Sequence, residues 1–184
     1  MRVITGTARG RRLKTLEGND VRPTTDKVKE AIFSSIQFDL PAAAVLDLFA
    51  GSGQMGIEAL SRGAKAAVFV DSAKSSIGVI ADNIEAVGFI DMSKIVSSDS
   101  LAYLRGCKES FDIAFLDPPY SKGLIEKSLE LLEPKMSGRG IVVCEHEVGL
   151  VLPERIGRLV LRRCKKYGKV IEVTIYDIKE DESE

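Results

Sequence analysis

Two short stretches of the sequence carry residue types that could hold a nucleoside and a planar base. In the first, residues 45–56, Gly51, Gly53 and Gly56 satisfy the pattern G-x-G-x-x-G between an apolar run and an amphipathic stretch. Glycine permits a tight turn and a close approach of backbone to a ligand, and a helix start offers free amide groups. The pattern predicts a nucleoside-binding turn, although the same glycines could serve packing alone at a helix entry.

Three aspartates fall where such a turn needs hydrogen-bond acceptors. Asp71 lies 20 residues after Gly51, where a carboxylate can accept both hydroxyls of a ribose. Asp47 precedes the loop, where its charge would repel a pyrophosphate and favour a cation such as the ammonium end of S-adenosylmethionine; alternatively, it caps the loop's own amides. Asp99 could bond an adenine amino group or, equally, N-cap the helix that follows. The predicted cofactor site comprises Asp47, Phe49, Ala50, Gly51, Ser52, Gly53, Asp71, Ser72, Asp99 and Ser100.

The second stretch, Asp117-Pro118-Pro119-Tyr120, follows an apolar run and is the most specific feature of the sequence. Two prolines cannot extend a strand and hold the chain rigid as it leaves the sheet. They fix Asp117 and the Pro118 carbonyl at the carboxyl end of a strand, where open α/β sheets bind their ligands. With the flat ring of Tyr120, these groups offer two acceptors and a stacking surface to a base that bears an exocyclic amine. These four residues are the predicted catalytic set; the alternative is a stiff turn with a surface tyrosine.

The elements that must position these motifs follow from the apolar pattern. Apolar runs without polar alternation predict strands covered on both faces, and amphipathic stretches between them predict helices. The predicted strands are residues 43–48, 66–70, 94–96, 111–116 and 140–144, and the predicted helices are residues 53–61, 72–87, 101–105 and 122–132. An earlier helix starts after Pro23 and places Val28, Ile32, Phe33 and Ile36 on one face. This alternation predicts an α/β fold with a doubly wound, mostly parallel sheet of seven strands.

Both ends of the chain depart from this alternation. Residues 1–5 and 11–16 predict short strands around Gly6 and Gly10, which would form a small β-arm. Residues 159–164 and 169–178 predict an antiparallel hairpin at the edge of the sheet. We expect a single domain over residues 1–184, with a basic arm (1–22), a core (23–178) and an acidic tail (179–184).

Composition excludes several classes of protein. A hydrophobic content of 45% is too high for a disordered chain, and no apolar run is long enough for a transmembrane span or a signal peptide. The three cysteines fit neither a disulfide framework nor a metal site and indicate a reducing, cytoplasmic environment. His146 has no partner at metal-ligand or triad spacing, and Cys144 ends a buried strand, so we expect both residues to belong to the core.

The near-neutral charge hides a segregation of charge along the chain. The 26 basic and 27 acidic residues sum to −1, yet residues 1–14 and 158–169 are basic without a single acid. Arg9, Arg11 and Arg12 are predicted to contact nucleic acid rather than to form a merely solvated arm. For the second basic segment the two interpretations are balanced. Arg22 and Thr24 are predicted substrate-binding residues that could equally border the cofactor.

Taken together, these motifs resemble a known family. D-P-P-Y after a fourth strand and D-L-F-A-G-S-G after the first resemble the methyltransferases that modify exocyclic amines of nucleic-acid bases. The segments R-V-I-T-G-T-A-R-G-R-R-L (2–13) and R-P-T-T-D-K-V-K-E-A-I-F (22–33) resemble the bacterial family that methylates guanine N2 in 16S ribosomal RNA. The resemblance implies that the glycine loop, Asp47 and Asp71 bind S-adenosylmethionine and that residues 117–120 hold the target base. It also implies that the partner is 16S rRNA, within the small ribosomal subunit or an assembly intermediate of it. The oligomeric state stays open, with a cytoplasmic monomer as the simplest expectation.

Other functions remain as alternatives. The same chemistry could act on adenine N6 or on a glutamine side chain, although this short sequence predicts no separate DNA-reading domain. An NAD-dependent reductase would leave Asp47 and the D-P-P-Y motif unexplained. A non-catalytic RNA-binding module would not need both motifs intact.

Overall fold

A computed structural model describes residues 1–16, 25–119 and 123–179 of the chain as a single mixed sheet with helices on both faces. The helices are α1 (Asp26–Ser35), α2 (Gln54–Ser61), α3 (Lys74–Val87), α4 (Ser100–Gly106) and α5 (Leu124–Leu132), with single-turn 3-10 helices at Ile90–Met92 and Glu133–Lys135. The strands are β1 (Ala44–Leu48), β2 (Ala66–Asp71), β3 (Ser93–Ser97), β4 (Phe111–Leu116), β5 (Met136–Glu147), β6 (Arg155–Ile156), β7 (Leu159–Tyr167) and β8 (Ile171–Ile178). In the described ranges, no helix combines the length and apolar character needed to cross a bilayer.

The strand order, β3-β2-β1-β4-β5-β8-β7-β6, confirms the predicted doubly wound sheet. β1 to β5 are parallel, and the order reverses direction at β1, which has β2 on one side and β4 on the other. Such a switch point leaves a crevice at the carboxyl ends of the neighbouring strands, because the crossover helices leave on opposite faces of the sheet.

Two apolar layers cover the faces of this sheet. One layer joins α1, α2 and α3 to alternate residues of β1, β4 and β5, including Val45, Phe115 and Val143. The other joins α4 and α5 to the intervening residues, including Leu46, Leu116 and Cys144. The lack of polar alternation in these strands thus reflects burial on both sides, as predicted.

The C-terminal part of the sheet is antiparallel. β8 pairs with β5 on one side and with β7 on the other, which confirms the predicted hairpin. A further strand, β6, has only two residues and pairs with β7 at the outer edge. The described sheet therefore has eight strands rather than seven, because a short edge strand leaves almost no periodic signal in the sequence.

The two halves of the N-terminal arm pair with each other, as predicted, over a shorter length than expected. Arg2 and Arg12 form an antiparallel bridge, and the Val3 amide donates to the Arg11 carbonyl at 2.9 Å. The arm also bonds to the core: the Glu58 carboxylate accepts the amides of Ile4 (2.8 Å) and Thr5 (3.0 Å), while Val3, Ala8 and Leu13 are buried in the first apolar layer. The arm is therefore held both by its own backbone bonds and by α2.

Candidate active site

The glycine loop leaves β1 through a sharply turned backbone. Phe49 (φ 66°), Gly51 (φ 57°) and Gly53 (φ 76°) all occupy the left-handed region, which a non-glycine residue such as Phe49 adopts only under strain. The Gly53 amide donates to the Ala50 carbonyl at 2.7 Å and closes the turn. The third glycine acts differently: a Cβ at Gly56 would lie 2.3 Å from Cε1 of Phe69, so this position lets α2 pack against β2. The loop therefore forms the predicted tight turn, while Gly56 serves the packing at the helix entry that was the alternative for these glycines.

Asp71 connects this loop to the end of β2. Its Oδ2 accepts the Gly51 amide at 2.9 Å, and its Oδ1 accepts the Ala73 amide at 2.9 Å. Because each carboxylate oxygen carries two lone pairs, these bonds leave acceptor capacity for hydroxyl groups of a ligand. The bond to Ala73 also explains why α3 begins at Lys74 instead of Ser72, which is exposed.

Asp47 is buried at the base of the loop. Its Oδ2 accepts the Gly56 amide at 2.8 Å, so the capping role that was one alternative for this residue is present. Burial and, to a smaller degree, the charge of Asp71 raise the pKa of Asp47, the bond from Gly56 lowers it, and the net pKa is about 7. With this pKa the carboxyl group is only partly ionised near pH 7, and a cation close to it would favour the ionised form.

Of the two roles considered for Asp99, adenine binding and helix capping, the structure shows the helix cap. Its Oδ1 accepts the Ala102 amide at 2.9 Å and caps α4. Asp99 is exposed beyond the end of β3, whereas Ser100 is buried. Both residues follow β3 and so lie on the side of the sheet where the parallel strands end, as do Asp47 and Asp71.

The Asp117-Pro118-Pro119 segment leaves β4 beside the glycine loop, because β4 pairs directly with β1. Pro118 is buried, whereas Asp117 and Pro119 are exposed. Surrounding protein desolvates the Asp117 carboxyl, and the charges of Glu145 and Asp47 act on it, so its pKa is raised well above the usual value. Tyr120, predicted to stack on a base, lies outside the described residues.

Glu145 is a further residue near Asp117, and the sequence analysis did not single it out. The register pairs Leu116 of β4 with Cys144 of β5, so the next residues, Asp117 and Glu145, lie side by side. Glu145 is only 5% exposed. A buried acid at the end of a central strand was the available signal, but its neighbour depended on the strand order.

Three comparisons with known proteins agree with this geometry. The model of a family described as Conserved hypothetical protein 95 matches residues 1–177. The chain belongs to this family. It is 39% identical over 181 residues to the Bacillus subtilis protein YlbH, named as a candidate rRNA methyltransferase, with 96% of this chain and 98% of YlbH covered. It is 33% identical to the Escherichia coli ribosomal RNA small subunit methyltransferase D, with 92% of this chain and 86% of that protein covered.

Solved structures show the same fold for members and for more distant proteins. The Escherichia coli protein yhhF, described as a candidate methyltransferase, superposes with a TM-score of 0.86 at 30% identity, covering 98% of this chain and 99% of its own. A Streptococcus mutans protein solved with SAH, SMU.776, superposes at 0.68 with 16% identity over 79% of this chain and 49% of its own, which shows only a shared fold. The resemblance stated from the sequence and the methyltransferase-like Rossmann fold are thus confirmed.

In this family member, the N-terminal arm presents its arginines to solvent and reaches the glycine loop. Arg9, Arg11 and Arg12 are exposed. The Asn83 side chain accepts the Lys14 amide at 2.7 Å and donates to the Ser52 carbonyl at 2.9 Å, so the arm is bonded to the loop through α3. Arg22 and Thr24 lie outside the described residues, and their roles stay predictions.

The second basic segment is partly used inside the fold. Arg158 pairs with Glu133 at 2.6 Å, and Arg162 donates to the Ser35 carbonyl at 3.1 Å. Arg163, Lys165, Lys166 and Lys169 are exposed. The basic surface of this hairpin is therefore smaller than its sequence indicates.

His146 and Cys144 are fully buried, which confirms that both belong to the core. His146 bonds through Nε2 to the Thr174 hydroxyl at 2.8 Å. Across residues 1–16, 25–119 and 123–179, no group of three or more His, Cys, Asp or Glu side chains could hold a metal ion.

Proposed function

We propose that the protein transfers a methyl group from S-adenosylmethionine to the exocyclic N2 amine of a guanine in 16S rRNA of the small ribosomal subunit. The observation that carries the proposal is the juxtaposition of two motifs on adjacent parallel strands: a glycine loop with Asp47 and Asp71, and the Asp117-Pro118-Pro119 exit from β4. The names of the relatives support the coarser activity, methylation of small-subunit rRNA. The choice of guanine N2 is the finer part of the proposal.

The carboxylates around the loop fit S-adenosylmethionine better than a dinucleotide. Asp71 offers carboxylate oxygens for ribose hydroxyls, while Asp47 places a buried carboxyl where a pyrophosphate would be repelled and a cation attracted. When bound, S-adenosylmethionine supplies an electrophilic methyl group on a sulfonium. The chain's own residues would hold the adenosine and amino ends and leave the opening towards β4.

The residues after β4 would position the amine. The guanine N2 lone pair is delocalised into the ring, so the amine is a poor nucleophile. Hydrogen bonds from N2–H to the Asp117 carboxylate and the Pro118 carbonyl would favour a pyramidal nitrogen and aim its lone pair. The product cation is very acidic, so the site needs no strong base. The nucleotide must be unpaired or extruded to enter, with Tyr120 as the proposed stacking surface.

The RNA backbone would lie along the arm. Arg9, Arg11 and Arg12 project from an arm that α2 and α3 hold against the glycine loop, so phosphates bound there would be at a fixed position relative to the methyl donor. We further propose a cytoplasmic monomer that acts on the small subunit or its assembly intermediate. In this interpretation the arm positions the RNA, whereas the strand ends do the chemistry.

Replacement of Asp117 tests the proposal most directly. We expect Asp117→Ala to retain S-adenosylmethionine binding, because the cofactor contacts come from β1 and β2, and to lose methyl transfer by orders of magnitude. Binding is measured by calorimetry, and transfer by tritiated methyl incorporation into naked rRNA, small-subunit particles and DNA, followed by identification of the nucleoside.

Asp91→Ala provides the matched control, because Asp91 is an exposed aspartate at the amino end of β3, whereas the proposed site lies at the carboxyl ends of the strands. It should behave like the wild type in both assays. Undiminished transfer by Asp117→Ala would contradict the proposed role of Asp117. Methyl recovered in N6-methyladenine would instead favour the adenine alternative, and an absence of cofactor binding by the wild type would favour a non-catalytic RNA-binding module.

A further inference from the structure

Three carboxylates meet where β1, β4 and β5 lie side by side. Asp47 pairs with Phe115, so it lies two residues short of Asp117 along the sheet. Glu145 follows Cys144, whose partner is Leu116, so Glu145 lies level with Asp117. Neighbouring strands are about 4.8 Å apart, and the Asp117 and Glu145 side chains therefore start within reach of one small planar molecule.

The side-chain alternation places Glu145 on the face that carries the proposed base site. Ile141 and Val143 of β5 belong to the same apolar layer as Val45 of β1. Glu145 and Asp47 each lie two residues further along these strands and so continue onto that face. The charge of Glu145 also contributes to the raised pKa of Asp117, in agreement with this short separation.

Glu145 is a buried acidic residue that directly follows an apolar segment of β5. It is 5% exposed, in a strand whose preceding residues, Ile141 to Cys144, are apolar and buried. Acidic side chains are rarely buried to this degree, because removing their charge from water is strongly unfavourable. A carboxylate offers about four acceptor positions, so Glu145 can accept a further hydrogen bond from a ligand beside the contacts that it already makes in the fold.

We propose that Glu145 selects guanine by accepting its N1–H while Asp117 and the Pro118 carbonyl hold the N2 amine of the same base. This inference rests on the proposed function. A single acceptor such as Asp117 can bind the exocyclic amine of adenine, cytosine or guanine alike. Guanine alone presents a second donor, N1–H, beside its amine, whereas adenine N1 and cytosine N3 are acceptors that a carboxylate would repel.

A guanine analogue without the N1–H donor tests whether Glu145 recognises that group. 2-Aminopurine retains the N2 amine, but its N1 is an acceptor. The target nucleotide is first mapped with the wild-type enzyme, and RNA is then assembled with either guanine or 2-aminopurine at that position. We expect the wild type to prefer guanine by about 10- to 100-fold in kcat/KM, the discrimination typical of a well-formed pair of contacts to a base edge.

Glu145→Gln should reduce this preference to within a few-fold, because a glutamine amide can donate to the N1 of 2-aminopurine. The matched control is Glu147→Gln, the same change two residues further along β5, which should keep the wild-type preference. Glu145→Asp retains the carboxylate and should lose rate but keep the preference. Cofactor affinity and the unfolding midpoint, measured for each variant, show whether the fold is intact.

The outcomes distinguish this inference from the function on which it rests. If the wild type methylates no guanine, the proposed function fails. If the wild type methylates guanine but accepts 2-aminopurine equally well, Glu145 does not read N1, and no variant is needed to reach that conclusion. A full preference in Glu145→Gln overturns the inference in the same way while leaving the methyltransferase activity established.

Discussion

At the scale of single residues, Asp47 shows how the site is prepared for a cation. Its carboxyl group is buried, accepts one backbone amide and lies near a second carboxylate, Asp71. Its folded-state pKa of about 7 lies above the ordinary value of 3.8. The folded protein therefore holds a proton between about pH 4 and 7 that the unfolded chain has released, and the contribution of Asp47 to stability declines as pH rises through this range.

Asp47→Asn removes this titration and should separate stability from binding. We expect the ligand-free variant to be as stable as the wild type near pH 4, with an advantage that grows to pH 7 and then levels off. Thermal or urea unfolding at pH 4, 6 and 8 measures this difference. A constant difference at all three values would show that Asp47 is not the titrating group.

The same variant should bind S-adenosylmethionine more weakly. A cationic ligand prefers the ionised carboxylate, so wild-type affinity should increase up to about pH 7 and then become constant. In Asp47→Asn the affinity should be low and nearly independent of pH over this range. Calorimetry at matched ionic strength provides the measurement.

At the scale of elements, a buried ion pair joins the arm to the helical layer. Lys29 of α1 and Glu58 of α2 lie 3.6 Å apart with fully buried side chains, and Lys29 also donates to the Arg2 carbonyl at 2.7 Å. Glu58 accepts the arm's amides at Ile4 and Thr5 and the Arg62 guanidinium at 2.8 Å. One carboxylate therefore positions the arm relative to two helices.

Glu58→Gln should be strongly destabilising, because it leaves the buried Lys29 ammonium without its charged partner. We expect a loss of about 3–5 kcal/mol in the free energy of unfolding, together with faster hydrogen exchange at Ile4 and Thr5. The control is Glu133→Gln, which breaks the partly exposed pair with Arg158 and should lose about 1 kcal/mol or less. Similar losses in the two variants would contradict the anchoring role of Glu58.

The contrast between local patterns and long-range contacts determines which elements could be predicted from the sequence. The strand at residues 111–116 and the C-terminal end of every core helix are predicted closely, because burial on both faces and amphipathic spacing leave local signals. The pairing within the arm is predicted, but its attachment to the core is not, since the amides of Ile4 and Thr5 bond to a side chain more than 50 residues away. Glu145 was missed for the same reason: its relation to Asp117 exists only once β5 lies beside β4.

At the scale of the whole molecule, exposed basic residues lie on both faces of the sheet. The arm packs on the layer of α1, α2 and α3, and its buried anchors Val3, Ala8 and Leu13 leave the arginines between them exposed. The opposite layer, built from α4 and α5, also carries exposed basic residues, at Arg105, Lys108 and Lys127. If net charge alone attracted RNA, both faces would contribute equally.

Two triple variants test whether RNA affinity depends on where the basic residues lie. Arg9, Arg11 and Arg12 are changed to alanine in one variant, and Arg105, Lys108 and Lys127 in the other, so both lose three positive charges. We expect only the arm variant to bind rRNA more weakly, with the slope of log affinity against log salt concentration reduced by about 2 to 3. S-adenosylmethionine affinity should be unchanged in both, because the arm's bonds to the glycine loop run through Lys14 and Asn83. Equal losses of RNA affinity would mean that the attraction is diffuse, and that the arm does not fix the RNA against the methyl donor.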